Sequence, residues 1–161
     1  MMRFLLVATI ALAVLVPSAS AVTLVNPDGS VAQPYQAWAN TSRVPTVSDT
    51  LAFYTDNVQE RCQATIIIGC TSPGWIALAV LNDDVAAMRF GLMHELGHRF
   101  WAAAPAWKIT AADKIRGSTD DELKADGYAE CSLWRHPFQH GTGFGNEHNF
   151  RRYCKLIRSA N

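Results

Sequence analysis

The sequence of 161 residues predicts an α+β fold: a small sheet of about three strands packed on a buried helix, with a second helix laid against it. Three observations carry this. Short β-type runs come first and long helical periodicities follow. One of those helices is apolar on nearly every side, which places it at the centre of a domain. The length suits a single core rather than two.

The elements follow in chain order. Residues 1–21 read as a secretory signal peptide: Arg3 opens it, Phe4 to Val16 is an apolar run, and Ser18-Ala19-Ser20-Ala21 ends on small residues, with cleavage expected after Ala21. A membrane-spanning helix needs roughly 20 apolar residues, and Pro17 interrupts this run, so no stable membrane insertion is expected after cleavage. Residues 22–161 form one domain. Residues 22–33 read as a loose arm with an Asn26-Pro27-Asp28-Gly29 turn. Pro34 to Ser42 suits a short helix with proline in its first turn. The β-type runs are Thr50 to Thr55, Thr65 to Ile68 and Trp75 to Val80, with a turn at Thr71-Ser72-Pro73-Gly74. Asn82-Asp83-Asp84 starts a helix that runs to about Trp101 and ends before Pro105. Met88, Leu92, Met93, Leu96 and Phe100 surround its axis. A second helix begins near Ser118 or Thr119 and reaches about Trp134. A glycine-rich loop carries His136 and His140, and a last helix, capped by Asn146, has Phe150, Tyr153, Cys154 and Ile157 on one stripe. Trp101, Trp107 and Trp134 flank these elements and read as core.

Charge and cysteines bound the function. Lys plus Arg equals Asp plus Glu at 14 each, and no basic run occurs, so neither nucleic acid nor an anionic membrane finds electrostatic support. After export, Cys62, Cys70, Cys131 and Cys154 are an even set in an oxidising compartment, and two disulfides are the default. The favoured pairing is Cys62–Cys70 with Cys131–Cys154, the latter joining two helices. Residues 62 and 70 at the ends of one extended strand would stand roughly 26 Å apart, so this pairing requires a turn between them.

The chemistry centres on Leu92-Met93-His94-Glu95-Leu96-Gly97-His98. Residues four apart share a helix face, so one cation can bind both His94 and His98. Glu95 is beside them and free to act as a base. Zinc brings the pKa of a coordinated water to near neutrality, where a carboxylate can take its proton. A third ligand is needed. Glu122 and Asp126 are again four apart on the second helix. The reading is that Glu122 binds the metal and Asp126 accepts the ring N–H of a metal histidine. Asp126 and Asp121 are the rival ligands. A capping box, Thr119 to Glu122, would occupy Glu122, whereas the same box one residue earlier, from Ser118, leaves it free.

His94-Glu95-x-x-His98 followed by Glu122-x-x-x-Asp126 resembles the gluzincin branch of zinc metallopeptidases. The run Glu122-x-x-Ala125-Asp126-x-Tyr128-Ala129 is similar to the Glu-x-x-Ala-Asp stretch of CaaX-type membrane peptidases. The whole mature chain resembles a group of small secreted bacterial zinc-peptidase-like proteins with four cysteines and an acidic helix ending in Tyr-Ala-x-Cys. The specific part of the likeness covers residues 88–134. It implies a minimal zincin arrangement, in which a small twisted sheet backs the active helix and a substrate pairs with an edge strand. The chain is far shorter than thermolysin-like relatives and lacks their downstream domain, which leaves the oxyanion donor open. Tyr128, His136, His140 and His148 are the candidates, with His140 and Tyr128 foremost, although Tyr128 lies off the Glu122/Asp126 face and reads as packed and His148 reads as surface.

The expectation is a secreted, zinc-dependent peptidase acting on a peptide or protein substrate through a metal-activated water. His94, His98 and Glu122 are the ligands, Glu95 is the general base and Asp126 orients a histidine. Two other classes answer to the same residues: a non-catalytic secreted zinc-binding protein working through protein contacts, and a different zinc hydrolase such as a cell-wall amidase.

Overall fold

The computed structural model describes residues 22–65, 68–81, 84–134 and 144–159. The expected signal peptide with its cleavage site, and His136 and His140, lie outside the described residues. Among those described, the fold is α+β, with a sheet of four strands and six helices. In chain order they are β1 (Thr23–Val25), α1 (Tyr35–Asn40), β2 (Thr50–Tyr54), α2 (Val58–Arg61), β3 (Gly69–Ser72), β4 (Trp75–Leu78), α3 (Val85–Ala103), α4 (Ala106–Arg116), α5 (Asp121–Leu133) and α6 (Glu147–Arg158).

The strands lie in the order β1-β2-β4-β3. β1, β2 and β4 run parallel, and β3 is antiparallel to β4. The expected three strands are therefore four, because part of the arm at residues 22–33 pairs with β2 as β1. Both edges of this sheet are instructive. The outer edge of β1 is closed by a side chain: Gln36 Oε1 accepts from the Leu24 N–H at 2.6 Å, and its Nε2 donates to the Val22 carbonyl at 2.9 Å. An amide group thus takes the place of a neighbouring strand. The Ala32 N–H donates to the Leu24 carbonyl on the same side. β3, at the other edge, has no strand beside it among the described residues.

A strand was expected over Thr65 to Ile68; residues 66 and 67 of that run lie outside the described residues, and β3 runs Gly69–Ser72. Two features fix it there. Pro73-Gly74 closes a tight hairpin, with Gly74 at φ 89° where a side chain would be strained. The Cys62–Cys70 disulfide then ties β3 to the end of α2. Cys62 caps α2 and Gln63 turns the chain at φ 53°, so the required turn is present and the two Cα atoms stand 5.8 Å apart.

α3 lies at the centre, as its all-round apolar surface predicts. Met88, Leu92, Met93, Leu96 and Phe100 are buried in one core with Leu24, Leu51, Phe53, Ile76 and Leu78 of the sheet and Tyr128 and Ala129 of α5. Asp84 caps α3 by accepting from the Ala87 N–H. α4 was not expected. Its ends are well marked, with Pro105 before it and Gly117 at φ 70° after it, but its inward stripe is Lys108, Ala112 and Arg116. Two cations on the buried side erase the apolar periodicity that betrays a helix. Cys131–Cys154 joins α5 to α6 in the core, and Asn146 caps α6 through the Asn149 N–H. The tryptophans divide. Trp101 is buried, whereas Trp107 and Trp134 are 52% and 44% exposed and are not core.

Candidate metal centre

The centre forms where α3 crosses α5, and two small residues set how closely they cross. A Cβ on Gly97 would stand 3.0 Å from the Ala125 Cα, from its carbonyl oxygen and from the Tyr128 Cβ. The two backbones are therefore almost in contact, which only glycine against alanine allows. This approach carries the first two turns of α5 over His94 and His98.

Asp126 Oδ1 accepts from His94 Nδ1 at 2.8 Å. That bond selects the tautomer with its Nε2 lone pair directed at the cluster. His94 Nε2 lies 3.0 Å from His98 Nε2 and 3.1 Å from Glu122 Oε2, and Glu122 Oε1 lies 3.4 Å from His98 Nε2. Three ligand atoms in a tetrahedral shell with zinc bonds of about 2.0–2.1 Å stand roughly 3.3 Å apart. The spacing fits a small divalent ion, and His94, His98 and Glu122 are the group among the described residues that could hold one. Two nitrogens and a carboxylate oxygen are also the donor types that zinc accepts.

The beginning of α5 leaves Glu122 available. Neither expected capping box forms, because Asp120 is the N-cap and its side chain accepts from the Glu122 N–H at 3.0 Å. The Glu122 side chain, 69% exposed, is then free to reach the imidazoles. Asp121 is drawn elsewhere. Lys124, its side chain only 3% exposed, bonds Asp121 and Asp113 at 2.9 and 2.8 Å and the Thr119 carbonyl at 2.9 Å. This lysine disposes of a rival ligand, and only its place in the same acidic run hints at it in the sequence.

Burial and charge tune the groups. Burial draws the His94 imidazole down, but the bond to Asp126 and the charges of Glu95, Asp126 and Glu122 outweigh it and hold His94 above the usual histidine value. His98 is lowered, by burial first and by His94 second. Burial pushes the Glu95 carboxyl up to about 7, against the opposing charge of His94. A divalent charge alongside pulls such a group down again.

Glu95, 5% exposed, faces a cleft of about 1300 Å³ bounded by β3, α3 and the start of α5. β3 comes close: a Cβ on Gly69 would stand 3.0 Å from Glu95 Oε1. The Ala79 N–H donates to the Ile68 carbonyl, and hydrogen bonding alternates along an antiparallel ladder. Ile68, Cys70 and Ser72 therefore direct their backbone groups to β4. Gly69 and Thr71 direct theirs to the open side.

Tyr128, named as a candidate donor but read as packed, is packed. It is fully buried, and its hydroxyl donates to the Pro45 carbonyl at 2.9 Å. Its ring packs in the α3–α5 contact, 5.2 Å from the Phe100 ring, and it does not reach the cleft. Of the other candidate donors, His148 is exposed on α6, and His140 lies outside the described residues. Comparison of the chain with family models, with curated proteins and with solved structures finds no match.

Proposed function

We propose that this protein is a secreted, zinc-dependent peptidase of minimal zincin type. The observation that carries the reading is the spacing of His94, His98 and Glu122, whose ligand atoms stand 3.0 to 3.4 Å apart, with a buried carboxylate, Glu95, next to them and outside the ligand set. A site that serves structure alone has no use for that base. Two disulfides fit an oxidising compartment, and the apolar N-terminal run supports export.

Zinc held here would polarise both a water molecule and the substrate carbonyl. The residues do the rest. Asp126 holds the His94 ring in register. Glu95 accepts the proton of the attacking water and delivers it to the departing amine. The outward N–H and C=O groups of Gly69 and Thr71 pair with an extended peptide in the manner of an added strand. That pairing lays the chain along the cleft past Glu95, so the scissile bond is set by main-chain register as well as by side-chain fit.

The test is turnover of a broad peptide library by metal-analysed protein. Wild type should cleave, a chelator should abolish cleavage, and zinc should restore it. Glu95→Gln should lower the rate by about 10²–10⁴ while zinc stays near one per chain. Undiminished cleavage by Glu95→Gln removes Glu95 from the mechanism. Zinc binding without any turnover leaves a non-catalytic metal protein, and cleavage of purified cell wall alone leaves an amidase.

A further inference from the structure

Balanced charge and the lack of a basic run hide a feature that folding creates. α6 turns Arg151, Arg152, Lys155 and Arg158 to solvent. Its opposite stripe, Phe150, Tyr153, Cys154 and Ile157, is buried and is bolted to α5 by Cys131–Cys154. The orientation of the cationic face is therefore fixed. Arg43, also exposed, extends it, since Arg158 Nε donates to the Arg43 carbonyl at 3.1 Å. Glu147 is the one acid within α6, and it holds Arg151 at 2.6 Å.

Two exposed indoles border this face. Trp134, at the C-cap of α5, carries the Arg158 guanidinium 5.0 Å over its ring. Trp107 stands near the start of α4, next to Lys108, whose ammonium donates to the Ser159 carbonyl just past the end of α6. The cleft lies between β3, α3 and the start of α5, with Ile109 of α4 also on its wall.

We propose that the α6 face, bordered by Trp134 and Trp107, docks the protein on an anionic lipid bilayer. Cations near such a surface are drawn to the headgroups, and indoles settle at headgroup depth, where their apolar ring and polar N–H are both accommodated. A soluble polyanion would meet the cations and leave the indoles in water. No described helix is long and apolar enough to cross a membrane, and the docking proposed is at the surface. It is independent of the peptidase reading.

Flotation of the mature protein with phosphatidylcholine vesicles, with and without phosphatidylglycerol, tests this. The protein should float with the anionic vesicles, remain in solution with the neutral ones, and be released by molar salt. Arg152→Glu with Lys155→Glu should lower binding by about tenfold or more, with metal content and circular dichroism unchanged. Trp107→Ala and Trp134→Ala should each weaken vesicle binding and reduce the blue shift of tryptophan fluorescence on binding. Retention on immobilised polyphosphate is measured in parallel. Absence of flotation, equal flotation with neutral vesicles, or vesicle binding indifferent to both tryptophan substitutions while polyphosphate still retains the protein, each overturns the proposal.

Discussion

Glu122 and Asp126 divide one task that a sequence cannot apportion. Both carboxylates share a helical face and both reach His94, Asp126 at Nδ1 and Glu122 at Nε2. The difference is which nitrogen each one meets. We expect Glu122→Ala to lose stoichiometric zinc. Asp126→Ala should retain the stoichiometry but bind 10–100-fold more weakly, because the ring then rotates freely. Metal analysis with competitive chelator titration separates the two, and the opposite ranking would exchange the roles. The spacings of His94, Glu95, His98, Glu122 and Asp126 were legible because each is a local property of one helix. Tyr128 was legible only in part. The helical wheel placed it off the ligand face, but nothing in the sequence links its hydroxyl to Pro45, which is remote along the chain.

At the scale of elements, the centre depends on how tightly α3 and α5 cross. Gly97→Ala would place a methyl group 3.0 Å from backbone atoms of Ala125, and backbone yields less readily than a flexible side chain. Overpacking of this kind costs roughly 1–3 kcal/mol, partly offset by about 1 kcal/mol of helix propensity. Zinc affinity is the cleaner readout. We expect it to fall, as Glu122 is pushed away from the imidazoles, and an unchanged affinity in a zinc titration would show that the crossing has slack. Elements with apolar stripes, α3 and α6 above all, could be read directly. α4 could not, because its buried stripe contains Lys108 and Arg116. β3 begins at Gly69, held by a proline-glycine hairpin and a disulfide, and the β-type run expected just before it lies partly outside the described residues.

For the whole molecule, an ion held by this group would add to a core that is built from other contacts. Sheet, central helix and two disulfides form one core, and the ligands emerge from helices already packed against each other. Zinc in hundredfold excess over its dissociation constant contributes about 2.7 kcal/mol, which for a chain of this size raises Tm by roughly 5–10 °C. We therefore expect chelation to lower Tm by that margin in calorimetry and to leave circular dichroism at 25 °C intact, unlike small zinc domains that unfold without metal. Unfolding on chelation would mean that the ion organises the α3–α5 contact. The Gln36 amide on the outer side of β1 has a consequence at this scale too. Sheets that recruit their own kind into fibrils need two receptive borders, one to offer and one to accept. With a glutamine sealing one border, a second copy could join along β3 to make a symmetrical pair, and a third would find nothing to join. The sheet can welcome a guest chain without seeding a polymer.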